Sequence, residues 1–263
     1  MNNSKVRLEW LHENQVARLL LAAPKPNILD AGMMSALRLA LAEAGAQPDL
    51  KAIVLAGEGP HFSFGASVEE HLPDQVAGMF ALFSDLLREL AEAPAPTIAA
   101  VRGQCLGGAL ELVLACDLIL AEETAQLGLP EIKLGVFPPA GSALLPVRIG
   151  AGRASEMVLT GASWTAATAL AAGLVNRVAA PGQLESELDA RLQNDFLPRS
   201  ASALRYAAQA ARRPLVHALR HHLPELESLY LNDLMRHPDA AEGIRAFIEK
   251  RPPQWARAVK TAS

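Results

Sequence analysis

Hydrophobic positions follow two rhythms along this chain, one fitting strands and one fitting helices. Residues 6–10 and 16–21 are short apolar-rich runs separated by the polar Glu13-Asn14-Gln15, which predicts two paired strands in an opening hairpin. Asp30 can then cap a helix through about residue 46, on which Met33, Met34, Leu37 and Leu41 recur at helical spacing. KAIVLAG reads as a buried strand. A second helix is predicted over residues 74–93, where Pro94-Ala95-Pro96 stops it, and the buried strand TIAAV follows. DLILA is a further strand. Strands alternating with helices predict an α/β domain with parallel pairing and right-handed crossovers.

From about Leu184 onward the strand rhythm is lost. Residues 201–212, 215–235 and 239–250 read as successive helices, which puts a boundary near residue 190 between a 1–190 core and a 191–263 helical region. Three helices of this size bury little surface by themselves, so they must pack on the core or on a neighbouring subunit. Oligomerisation is therefore expected.

Composition narrows the classes of partner. With 263 residues, 51% hydrophobic and 20% charged, the chain can build a large core in one domain plus an appended region. A formal net charge of -4, with no Lys/Arg-rich stretch, offers no basic field for a phosphate backbone, so nucleic acid is not an expected partner. The apolar stretches fall short of the roughly 20 residues that a membrane helix needs. The first 26 residues carry charges on both sides of a short apolar run and read as neither signal nor transit peptide. Cys105 and Cys116 lack CxxC or His/Cys ligand spacing, which argues against a disulfide framework or structural zinc. The expected setting is a reducing cytoplasm.

Several familiar motifs are missing. GAGRAS at residues 150–155 lacks the third glycine of a dinucleotide fingerprint and no strand precedes it; GxxxxGK[ST], HExxH and GxSxG do not occur. His221 and His222 have no acidic or Cys partner at ligand spacing, so no metal site is expected.

Three features carry chemistry. FSFGAS at residues 62–67 forms a loop after the KAIVLAG strand; Leu106-Gly107-Gly108 opens a helix with Glu111 one turn in; and Glu131 follows Pro130 in LGLPEIKLGVFPPAG. A helix N-terminus presents unpaired N–H groups and the positive end of its dipole, and glycines there let an anionic oxygen approach closely. A second N–H from the Gly65-Ala66 loop would complete an oxyanion hole, which is useful where a carbonyl becomes an enolate or a tetrahedral anion. Glu111 taken alone fits a first-turn dipole role. Its neighbours Leu110, Leu112, Val113 and Leu114 leave no polar face, however, and a buried carboxylate without partners costs several kcal/mol. Glu131 alone fits a first-turn or solvent-facing acid equally well.

PTIAAVRGQCLGGALELVLACDLILA and LGLPEIKLGVFPPAG together resemble the enoyl-CoA hydratase/isomerase, or crotonase, superfamily, whose pattern is strand, Gly-Gly turn, helix with Glu, strand, then Pro-Glu. The resemblance extends from PKPNILD to GIRAFIEKRPP. It implies a crotonase-like spiral of ββα units with a C-terminal helical trimerisation region, and a homotrimer or homohexamer. By position, it makes the N–H groups of Ala66 and Gly108 the oxyanion hole for a thioester carbonyl and puts Glu111 and Glu131 on both carboxylate positions of the hydratases. Two carboxylates favour water addition to an α,β-unsaturated acyl-CoA, because one can deprotonate water while the other delivers a proton to carbon. No metal or cofactor is implied beyond the CoA of the substrate. Lys25, and Lys250 beside Phe247 from a neighbouring subunit, are the residues implied to reach CoA.

The chain also departs from the family pattern. Ala109 replaces a third glycine, Ser67 stands where an acid is usual, and a glycine gives way to Pro139; the resemblance puts these residues in the acyl pocket, implying an acyl group other than a short straight chain. FSFGASVEEHLPD more narrowly resembles the cyclohexa-1,5-diene-1-carbonyl-CoA hydratases, in which water adds across a conjugated alicyclic dienoyl thioester to give a 6-hydroxycyclohex-1-ene product. Two other activities stay open at this level: an enoyl-CoA isomerase, which would shuttle a proton on one glutamate, and a catalytically silent acyl-CoA-binding or assembly protein on the same fold.

Overall fold

The opening hairpin is present in a computed structural model that describes residues 5–24 and 27–256. Strands β1 (Val6–Leu11) and β2 (Val16–Leu21) pair antiparallel across a tight turn that holds His12, Glu13 and Asn14 at positive φ. They are followed by β3 (Ala52–Gly57), β4 (Thr97–Val101), β5 (Gln104–Leu106), β6 (Leu118–Glu122), β7 (Gln126–Gly128), β8 (Ser163–Thr165) and β9 (Arg177–Ala179). The main sheet has the order β1-β2-β3-β4-β6-β9 and is parallel from β2 onward; β5, β7 and β8 form a second, smaller sheet. Interleaved with them are α1 (Ala31–Gly45), α2 (Val76–Ala91), α3 (Gly108–Leu114), α4 (Pro139–Ile149), α5 (Ala151–Thr160), α6 (Ala166–Ala171) and α7 (Leu184–Arg191). The chain continues through α8 (Ala201–Ala211), α9 (Arg213–His217), α10 (Leu223–Asn232) and α11 (Pro238–Ile248).

The uninterrupted apolar runs are explained by a sheet covered on both faces. Leu19, Leu21, Ile53, Leu55, Ala99, Val101 and Ile119 point into the main core. The alternating residues Val16, Leu20, Val54, Ile98 and Leu120 meet Leu184 and Leu188 of α7 and Leu192 and Phe196 beyond it. Asp30 caps α1 as predicted, its carboxylate accepting the Met33 N–H at 2.8 Å.

Two expectations change. Strands β5, β7, β8 and β9 have three residues each, too few to display a period, and they escape a reading based on periodicity. The single helix predicted over 215–235 is broken: a π turn, Ala218–His222, separates α9 from α10, with Leu223 N–H donating to Ala218 O. Pro224 lacks the N–H that a regular α ladder would use there, which favours the wider turn.

The C-terminal helices pack on the core. Leu215, Leu219, Leu223, Tyr230 and Ile244 belong to the same buried cluster as the main sheet. Arg212, 3% exposed at the end of α8, forms an ion pair with Asp117 and donates to the carbonyls of Ala93 and Ala95 at 2.6 and 2.7 Å. Among the described residues no helix is long and apolar enough to cross a membrane.

Candidate active site

The loop before α2 is fixed from beneath. Asn27 is buried and donates to the carbonyls of Glu58 and Phe62, while Ser63 Oγ donates to Asn27 O at 2.7 Å and accepts the Gly65 N–H at 3.0 Å. Leu29 N–H then donates to Gly65 O, and Ser67 N–H to Leu29 O. These bonds flank Ala66 on both sides and leave its own N–H unused, as a parallel bridge with Leu29 requires. Opposite stands Gly108, the first residue of α3, whose N–H is one of the unpaired donors of a helix start. Among the described residues neither N–H has a hydrogen-bond partner.

Glycine permits this close approach. A Cβ on Gly65 would lie 2.5 Å from Leu106 O and 3.3 Å from Gly108 N, and a Cβ on Gly108 would lie 3.2 Å from Ala66 N. Gly65 and Gly107 also hold φ at +102° and +55°, where a side chain is strained. At Gly107 a Cβ would sit 2.8 Å from Glu131 Oε1, so the same turn that presents the Gly108 amide makes room for the second carboxylate.

Glu111 lies one turn into α3 and is 6% exposed. It accepts the Gly141 N–H at 2.7 Å, and the Ala140 N–H acts on it in the same sense, so its carboxylate caps the N-terminus of α4. Burial is the larger influence and, with a smaller push from the negative charge of Glu227, moves its pKa up to about 7. Glu131 sits in the 3-10 turn Pro130–Leu134. Burial first, and the neighbouring Glu111 second, hold its carboxyl well above the ordinary range. Burial thus favours the protonated form of both carboxyls, and only Glu111 has helix N–H groups that act the other way.

These groups open on a cavity of about 690 Å³. Its walls are apolar, with Phe64, Met79, Phe80, Phe83 and Phe137, and Lys133 and Phe247 also line it. His71 belongs to the lining, too; its Nδ1 is 2.7 Å from Ser67 O, and burial lowers its pKa. A more open groove of about 800 Å³ lies between α1 and α2 beside Arg38 and Glu89, remote from both buried glutamates.

Ala66, Ser67, Gly108, Glu111, Glu131, Pro139 and Phe247 all line the 690 Å³ cavity. Ser67 is buried and donates to Glu69 Oε2 at 3.0 Å. Ala109 does not line it, which corrects the pocket role expected for it. Gly108 and Glu111 are three residues apart and share the cavity face of α3, so Ala109 turns away into the main core, fully buried. Lys250 follows α11 in a left-handed conformation and is exposed, outside the lining of its own chain's cavity, where the implied reach to CoA is toward a neighbouring subunit. Lys25 lies outside the described residues.

Sequence reading missed Tyr230 and Glu227 on α10 and the first turn of α4. The only local signal was the Pro138-Pro139-Ala140-Gly141 run, whose prolines suit a helix start. Among the described residues no group of three or more His, Cys, Asp or Glu side chains is arranged to hold a metal ion.

Two unused amides and two buried carboxyls thus face one apolar cavity on a crotonase-like α/β fold. The chain belongs to the enoyl-CoA hydratase/isomerase family, whose model matches residues 12–258. Within that family it is similar to the cyclohexa-1,5-dienecarbonyl-CoA hydratase of Thauera aromatica, at 45% identity over 248 residues covering 94% of this chain and 95% of the relative. It is also similar to the 2,3-dehydroadipyl-CoA hydratase of Escherichia coli (strain K12), at 35% identity over 94% of this chain and 98% of that one. Among solved structures, an enoyl-CoA hydratase from Mycobacterium avium subsp. paratuberculosis K-10 superposes with a TM-score of 0.85 at 28% identity, covering 96% of this chain and 99% of that one.

Proposed function

We propose that the protein hydrates an α,β-unsaturated acyl-CoA thioester, with cyclohexa-1,5-diene-1-carbonyl-CoA as the substrate. The observation that carries this reading is the pair Glu111 and Glu131, facing one cavity beside the free N–H groups of Ala66 and Gly108. The alicyclic dienoyl substrate is supported by the 45% identity to the Thauera relative and by the apolar, aromatic-lined cavity.

In the proposed reaction the thioester oxygen accepts from Ala66 and Gly108, which stabilise the negative charge that develops on it. Glu111, ionised, takes a proton from water as the water oxygen bonds to the β carbon. The electron pair of that double bond moves into the conjugated enolate. Glu131, protonated, gives its proton to the far carbon of the conjugated system, and the C=O reforms. One water is added, and no electrons are gained or lost. A proton must then pass from Glu111 back to Glu131, by way of solvent or product exchange, before the next turnover. The division of roles rests on the one difference between two carboxyls that burial raises alike: helix α4's N–H groups favour the Glu111 anion, whereas Glu131 has the negative Glu111 against its own ionisation.

The same proposal includes a cytoplasmic location and a homotrimer or homohexamer assembled through residues 191–263. It is supported by two free, buried cysteines and by exposed Tyr206, Leu229 and Ile248 on that region. Incubating purified protein with crotonyl-CoA and with the cyclic dienoyl-CoA, and resolving the products chromatographically, tests the activity. The expected product is the hydroxyacyl-CoA, formed faster from the cyclic substrate. Double-bond migration without net addition of water would replace this reading with an isomerase.

A further inference from the structure

Only one end of the Glu131 carboxyl is accounted for. Its Oε1 occupies the space over Gly107, beside the oxyanion turn, while Oε2 is buried with no partner among the described residues. A second orphan lies in the same neighbourhood. Tyr230, on α10, is 1% exposed, and its hydroxyl too is buried with no partner among the described residues. Its ring stands edge-on to Phe80 at 4.8 Å and to Phe137 at 5.4 Å, two aromatic walls of the cavity. The charges of Glu131 and Glu111 both act on its hydroxyl, in that order of strength. Leaving two such polar atoms unsatisfied costs each of them its hydration with no hydrogen bond in return. A phenylalanine would fill the same space between Phe80 and Phe137 without burying a hydroxyl, so packing alone gives no reason for tyrosine. Buried polar groups that do not meet directly are ordinarily joined by an ordered water.

We propose that Tyr230 is a positioning residue: through one buried water its hydroxyl anchors Glu131 Oε2, which keeps Oε1 over Gly107 and facing the thioester. This rests on the hydratase reading given above. The phenol donates to the water and the water donates to Oε2. The hydroxyl itself never touches substrate. Its effect is to fix which oxygen of the proton donor faces the reacting carbon, and it also favours the anion left after proton transfer. The other titratable groups around Glu131 are Glu111 on α3, Glu227 on α10, Glu69 and His71 in the cavity lining, and Lys133 on its own turn; α11 contributes the apolar Ile244 and Phe247.

The test is Tyr230→Phe, which keeps the ring and removes only the oxygen. A high-resolution crystal structure of the unaltered protein is expected to show a water within hydrogen-bonding distance of both Tyr230 Oη and Glu131 Oε2, and the variant to lose it. With the thioester that the unaltered protein hydrates, kcat should fall about tenfold, the size of one hydrogen bond, while KM changes less than about twofold. The alkaline limb of the kcat profile should move to higher pH, because Glu131 then holds its proton more tightly. Absence of the water in the unaltered protein, or an unchanged kcat and alkaline limb in the variant, overturns the proposal. If the unaltered protein hydrates no thioester, the hydratase reading fails on its own, and the crystallographic water still decides the placement of Tyr230.

Discussion

Replacing Glu111 with Gln should make the protein slower and, at alkaline pH, more stable. Burial raises this carboxyl from 4.5 to about 7. A group whose folded pKa lies above its unfolded value favours the fold only while protonated, so the contribution is full below about pH 4.5 and is lost as pH rises through 7. At about 1.4 kcal/mol per pKa unit, the ionised side chain costs the native state roughly 3 kcal/mol at pH 8. Gln can still accept the Gly141 N–H but never ionises. The stability difference between variant and parent should therefore grow by about 2–3 kcal/mol between pH 5 and pH 8.5. Urea unfolding of both proteins across that range, at matched concentration, measures it. Turnover should fall by about 10²-fold or more at every pH, as for other lost general bases. Parallel stability curves for the two proteins would refute the reasoning, because Glu111 would then be no more strained in the fold than in the unfolded chain.

Other outcomes follow from the same geometry. Glu131→Gln should lower turnover by about 10²-fold or more while acyl-CoA binding, measured by calorimetry, is largely retained. In the unaltered enzyme kcat/KM should rise with pH through about 7 as Glu111 ionises, falling about tenfold for each pH unit below it; a flat profile from pH 5 to 8 would remove Glu111 as the base. Gly107→Ala should abolish most activity with the fold kept by circular dichroism, since its Cβ would meet Glu131 Oε1 at 2.8 Å and its φ is +55°. Arg212→Met should destabilise the protein by about 3–5 kcal/mol in urea unfolding, because Asp117 would be left largely buried without its partner.

What could be read from the sequence was local. The apolar runs of β3 and β4 announce a sheet covered on both sides. The spacing of Gly108 and Glu111, three residues apart, puts an amide donor and a carboxylate on one face of α3 whatever surrounds them. The same periodicity turns Ala109 away from that face, a consequence available from spacing alone. The strands of three residues and the π turn before Pro224 were not legible, since each depends on partners distant in the chain rather than on a repeated pattern.

The amino-acid sequence by itself thus determined the longer strands and helices, and named the glycine turn and the two glutamates as candidates. Tertiary structure decided how those glutamates differ. Glu111 receives the N–H groups of α4 some thirty residues on, whereas Glu131 is buried beside it with Oε2 unpartnered among the described residues, and α10 brings Glu227 close enough to push Glu111 up. A proton affinity is a sum over burial and charges arriving from every packed element, and no window of residues along the chain contains that sum.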